Sequence, residues 1–247
     1  MMKGDILAID IGNTNITWGI FHRDGRLVTR CKLPTKSLSS RGLPIGRYHL
    51  SQAVVSSVVP RVLPRLVGCI KNNMDGKILI VGKDIIVPVK NMYRIKTQVG
   101  QDRLVNAFAA LTIYGRPCVI IDFGTAITFD IVSRRGEYLG GLILPGIDMS
   151  LASLHEKTAL LPDVRLKASR HIIGKDTVNS MRGGILFGFG AMCDGLSLRY
   201  RKILGRDTII IATGGNAGLM KRYAVRIDIV DDDLTLKGLY LLSKRST

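Results

Sequence analysis

Two short strings, IDIGNTNIT from Ile9 to Thr17 and IDFGTAITF from Ile121 to Phe129, limit the possible folds of this chain more than anything else in it. Each reads as an apolar run, then Asp-x-Gly, a Thr shortly after, and a second apolar alternation. The flanks of the first copy, ILAI and ITWGIF, have the composition of buried and half-buried strands. A polar insert between two such runs is expected to be a hairpin tip. Two copies about 110 residues apart predict a duplicated architecture, each half a β-rich sheet with helices following. The halves are expected over residues 1–115 and 116–247. Their junction falls at TIYGRPCV, where Gly115 and Pro117 end a helix and start a strand.

The remaining elements fit that plan. QAVVSSVVP reads as a buried strand ending at Pro60, and KILIVG as another. After Gly100, QDRLVNAFAALTIYG carries Leu104, Ala107, Phe108 and Leu111 at helical spacing. TIIIATGGNAGLMKRY has a strand–glycine turn–helix grammar, and RGGILFGFGAMCDGLSLRYRKIL reads as a long helix containing glycines. GGLILPGIDMSLASLHEKTALLP is expected to mix turns with a helix around MSLASLHEKT.

Composition narrows the class. A chain of 247 residues that is 46% apolar can bury roughly 70–75% of its unfolded surface. No stretch approaches the ~20 uninterrupted apolar residues of a spanning helix, and the most apolar one contains Asp122 and Asp130. The first residues lead into a strand without a signal-peptide pattern, so a cytoplasmic protein with no membrane partner is expected. Cys31, Cys69, Cys118 and Cys193 are scattered, with no C-x-x-C and no paired histidines, which argues against a zinc site or a disulfide framework. The net charge of +17 favours anionic partners. The basic residues are dispersed, as in RLVTRCK and RYRKILGR, and form no block, so nucleic acid is not the expected partner.

The tip has a chemistry of its own. An Asp at a strand end can stand beside a metal, while Thr and Asn side chains and backbone amides meet phosphate oxygens that glycine lets come close. A single copy alone favours a plain polar turn; two copies and a TGGN turn entering a helix favour nucleotide phosphate. GQDR at Gly100–Arg103 also has two readings. Asp102 is either a first-turn aspartate favoured by the helix dipole, or a proton acceptor for an alcohol with Arg103 holding a carboxylate.

In order along the chain stand DIGNTN (Asp10–Asn15), SSVVP (Ser56–Pro60), GQDR (Gly100–Arg103) and DFGTAITFD (Asp122–Asp130). GGLILPGI (Gly140–Ile147), TALLP (Thr158–Pro162), T-x-x-S-M-x-x-G (Thr177–Gly184) and ATGGNA (Ala212–Ala217) follow. The pair of tips resembles the acetate and sugar kinase, heat-shock-70 and actin superfamily, in which ATP lies between two related halves. Within it, the motifs resemble type III pantothenate kinases over nearly the whole length. The resemblance implies an α/β fold of duplicated ribonuclease-H-like, actin-like ATPase halves with mixed sheets and flanking helices. It implies ATP-dependent phosphorylation of pantothenate to 4'-phosphopantothenate, the first step toward coenzyme A.

Site roles follow from the same resemblance. Asp102 is the general base. The tip residues Asp10, Ile11, Gly12, Asn13, Thr14, Asn15, Ile16 and Thr17, with Thr125, hold ATP, with Mg²⁺ near Asp10. Asp122 coordinates a monovalent cation, K⁺ or NH₄⁺. Gly100, Gln101, Asp102 and Arg103 bind pantothenate, as do Tyr93 and Thr177, the latter across a homodimer; Thr177 reads equally as a helix N-cap before VNSM. Gln101 stands where the family usually has Ala. Two rivals are a sugar or carboxylate kinase of the same superfamily and a non-catalytic regulator that binds nucleic acid. GQDR with the T-x-x-S-M segment speaks against the first, and the retention of Asp10, Asp102 and Asp122 against the second.

Overall fold

The structure, a computed structural model, describes residues 4–38 and 43–245. The chain opens with β1 (Asp5–Ile11), β2 (Asn15–Phe21), β3 (Leu27–Pro34), β4 (Leu50–Ser57), α1 (Leu63–Lys71) and β5 (Lys77–Ile80). Next come β6 (Lys90–Asn91), α2 (Gln101–Ile113), β7 (Cys118–Phe123), β8 (Ala126–Val132), β9 (Glu137–Pro145) and α3 (Ile147–Glu156). The long α4 (Thr177–Leu204), β10 (Ile209–Thr213), one-turn α5 (Ala217–Met220), β11 (Ile229–Val230) and α6 (Leu234–Ser243) follow.

One sheet has the order β3-β2-β1-β4-β5 and the other β11-β10-β7-β8-β9-β6. In the first, β1–β2 and β2–β3 are antiparallel while β1–β4 and β4–β5 are parallel. In the second, β7–β8 and β8–β9 are antiparallel while β10 runs parallel to both β7 and β11. Strands β7 to β11 thus repeat the order and directions of β1 to β5, the duplicated ribonuclease-H-like topology expected from the two tips.

The compact units are not contiguous. The first takes the chain up to Val89, Arg94–Ala109 and everything from Leu234; the second takes Lys90–Tyr93 and Ala110–Asp233. A division at 115/116 would put α6 with the second half. Instead α6 packs on β1, β4 and β2, and β6 joins the second sheet by pairing with β9. The GGLILP stretch, expected as turns, is the second half of β9. Its outward Leu142 and Ile143 are exposed, so both faces are apolar and the two-residue alternation that marks a strand is lost.

Each core is built by alternation. On β1, Leu7, Ile9 and Ile11 enter the first core with Ile16, Trp18 and Ile20 of β2 and Leu66 and Ile70 of α1. On β7, Val119, Ile121 and Phe123 enter the second core with Ile127, Phe129 and Ile131 of β8 and Leu186 and Cys193 of α4. Because successive side chains point to opposite faces, Asp10 and Asp122 leave their sheets on the side away from these clusters. Burying such side chains contributes roughly 1.5–3 kcal/mol each, which makes the register hard to slip.

Within the first unit, α6 meets α2 at a glycine. A Cβ on Gly238 would stand 2.7 Å from Val105 Cγ1 and 2.8 Å from the Val105 carbonyl oxygen. Alanine would favour the helix by about 1 kcal/mol, but overpacking costs about 1–3 kcal/mol and backbone cannot rotate aside. Gly238→Ala is therefore expected to lower stability by roughly 1–2 kcal/mol, read as a reduced denaturation midpoint with unchanged slope.

Candidate functional site

In the first unit the DIGNTN tip closes the β1–β2 hairpin. The ladder runs to Asp10↔Thr17 and Ile11↔Ile16. Beyond it, the Gly12 N–H donates to the Asn15 carbonyl at 2.9 Å. Thr35, which follows β3, braces the tip from the side. Its N–H donates to the Thr14 carbonyl at 2.9 Å and its hydroxyl to the Gly12 carbonyl at 2.7 Å. Asn13 and Thr14 are left exposed at the apex, while Asp10 is half-buried at its base. A polar apex on a fixed frame can meet an anion without first being ordered.

The GQDR turn belongs to the same unit. Val58, just past β4, donates its N–H to the Ile11 carbonyl at 3.1 Å, and its side chain borders Gly100. The SSVVP segment therefore touches both the tip and the start of α2. A Cβ on Gly100 would collide with Asp102 Oδ1, so glycine is what allows that carboxylate to fold back over the turn. The same oxygen accepts from the Arg103 N–H at 2.8 Å. Burial pushes the Asp102 pKa above its ordinary 3.8, against the lowering effects of the Arg103 amide and guanidinium. Arg103 is 7% exposed, and Gln101 lays its side-chain amide against Gly82, just beyond β5.

In the second unit the corresponding tip is one residue shorter. Three residues separate the paired Phe123↔Ile127, against four between Ile11↔Ile16. Gly124 and Thr125 are exposed at its apex, and Asp122 is half-buried at its base. The ATGGNA turn backs onto this tip. Gly214 has φ +90° and no room for a Cβ, which would collide with Asp122 Oδ1 and stand 2.7 Å from the Phe123 carbonyl carbon. The Asn216 N–H approaches the Phe123 carbonyl at 3.4 Å. The Asp122 carboxylate therefore lies directly against the glycine turn. Next to the turn, a cavity of about 470 Å³ is lined by Asp148, Leu151, Ala152, Asn216 and Leu219, among others.

Two further expected residues lie elsewhere in this unit. The Tyr93 ring stands 6.3 Å from that of Tyr138, whose hydroxyl donates to Asp130 Oδ1 at 2.8 Å. Thr128 donates to the other oxygen of Asp130 at 2.9 Å. Asp130 is fully buried, and sequence reading gave it no role. Thr177 is exposed as the first residue of α4, and the cap is its neighbour Asp176, whose carboxylate accepts from the Asn179 N–H at 2.8 Å. The capping alternative for Thr177 is thereby corrected.

A family model for type III pantothenate kinase matches residues 6–199. A protein of that description from Persephonella marina is 38% identical over 248 residues, covering 95% of this chain and 96% of its own. Another, from Syntrophus aciditrophicus, is 38% identical and covers 98% and 100%. The chain belongs to the type III pantothenate kinase family. Among solved structures, a Campylobacter jejuni protein provisionally described as a Baf family transcriptional activator superimposes with a TM-score of 0.62. It is 22% identical and covers 97% of this chain and 98% of its own, a likeness of fold.

Two outcomes test the local geometry. Asp102→Asn removes a group whose ionisation is disfavoured by burial. An acid with a raised folded pKa loses stability as pH climbs from the unfolded carboxylate value through the folded one. The variant should therefore melt no lower than the parent at pH 7 and lose that part of the pH slope, as seen by thermal unfolding across pH 3.5–7. Gly214→Ala combines positive φ with a backbone collision. It should cost roughly 2–4 kcal/mol, measured by denaturant unfolding, unless the turn rebuilds and releases Asp122.

Proposed function

We propose that this chain transfers the γ-phosphoryl group of ATP to the primary hydroxyl of pantothenate, giving 4'-phosphopantothenate and ADP. The observation that carries this reading is the family match across the chain together with an acid, Asp102, folded back over the GQDR turn. Asp102 takes the hydroxyl proton as the oxygen bonds to phosphorus, and the bond from the γ-phosphorus to the bridging oxygen breaks. A carboxylate whose pKa is raised by burial is a better proton acceptor than an ordinary one. Arg103 holds the pantothenate carboxylate, and Tyr93 and Thr177 complete its contacts.

The DIGNTN tip holds the phosphates through Asn13, Thr14 and its amides, with Asp10 directed to magnesium. Thr125 contacts the nucleotide from the second tip. The cavity beside Asn216 offers space for the nucleoside end. Asp122 holds a potassium or ammonium ion in the cradle of Gly214 and Gly124. When bound, these cations offset the negative charge of the phosphates, which is the main requirement of phosphoryl transfer. The working form is a homodimer in the cytoplasm. Among the described residues no helix is long and apolar enough to cross a membrane.

The direct test is ADP release with and without pantothenate, in potassium and in sodium buffer. Release should require pantothenate and rise sharply with potassium or ammonium. Asp102→Asn should retain fold and lower turnover by on the order of 10²–10⁴. Pantothenate-independent release would overturn the substrate assignment, and indifference to the cation would remove the role of Asp122.

A further inference from the structure

Ser56 lies near the end of β4, as the first residue of SSVVP, and is fully buried. Its hydroxyl has no hydrogen-bond partner. A buried hydroxyl left unpaired costs more than a made hydrogen bond returns, so alanine would be the cheaper residue for a purely structural position. The parallel ladder sets Ser56 directly beside Asp10. Partners in register project from the same face of a sheet, so the hydroxyl and the carboxylate share the face turned away from the Ile9–Ile11 core.

The second unit repeats the arrangement. There β10 stands to β7 as β4 stands to β1, and Thr213 is in register with Asp122. Thr213 is 2% exposed. Both halves therefore place a buried hydroxyl residue beside the tip carboxylate, on the neighbouring parallel strand. Such strands otherwise run in Val, Ile and Ala, as in AVV before Ser56 and IIIA before Thr213.

We propose that Ser56 is a positioning residue for Asp10, its hydroxyl donating to that carboxylate when the magnesium–nucleotide complex is bound. The hydroxyl selects which carboxylate oxygen faces the cation, and it acts only through Asp10. The inference rests on the phosphate role given to the DIGNTN tip and is independent of the identity of the acceptor alcohol.

The test uses the full chain and a magnesium-complexed, non-hydrolysable ATP analogue, titrated at equilibrium without pantothenate. Ser56→Ala should melt at or above the parent in the absence of ligand, because an unpaired buried hydroxyl has been removed. It should nevertheless bind the analogue about ten- to a hundredfold more weakly, the loss expected for one hydrogen bond to a charged group. Ser56→Thr should stay within about twofold of the parent if the hydroxyl is what matters. In an Asp10→Ala background, which removes the acceptor, Ser56→Ala should weaken binding no further. Parent-like affinity in Ser56→Ala, or the same loss in both backgrounds, would overturn the positioning role. If Ser56→Thr does not fit its site and melts early, the comparison of the two backgrounds still decides the matter. Loss of the pantothenate reading would show only in the turnover assay.

Discussion

The two-residue period of β1 and β7 is the constraint on which the rest depends. Ile9 and Ile11, like Ile121 and Phe123, are held in their cores by full burial, and this fixes the direction of the residue between them. A slip of one position would exchange an aspartate for an isoleucine on each face. It would strand a carboxylate among aliphatic side chains, at a cost well above what one core residue contributes. Asp10 and Asp122 are thus aimed by their neighbours. The hairpin partner, the parallel neighbour and the turn that braces each tip are all positioned by the same register.

That dependence explains what could be read in advance. The tips were legible because the sequence states them twice, with Asp-x-Gly at the same point in an apolar alternation. GQDR was legible because a glycine precedes a helical period and puts an acid in its first turn. Asp102 was named from sequence, but its raised pKa was not, since burial depends on Val58 and the neighbouring chain. Ser56 carries no chemical signature within AVVSSVV. Only the ladder to β1 sets it beside Asp10. The return of α6 to the first unit was invisible for the same reason. Its docking turns on one missing side chain, at Gly238, opposite Val105 some 130 residues earlier.

The two tips differ in length and in what braces them. The first tip keeps an extra residue and two exposed polar side chains, Asn13 and Thr14, and is braced by Thr35 from beyond β3. The second is shorter and is backed by a glycine turn that closes on its aspartate. A longer polar apex offers more donors to an extended anion such as a phosphate chain. A tight glycine pocket around one carboxylate suits a compact cation.

The strong positive charge of the chain acts on a different scale from this site chemistry. With 36 Lys and Arg against 19 Asp and Glu, a generally positive surface would lower the pKa of every carboxylate it reached. Asp102 moves the other way, upward, even with Arg103 as its immediate neighbour. Desolvation therefore outweighs both the adjacent guanidinium and the distant cations, which salt screens beyond about 8–10 Å. The dispersed charge can raise the local concentration of anionic reactants, ATP and pantothenate, at the protein surface. The basicity of Asp102 is set locally, by burial against the lowering effect of Arg103.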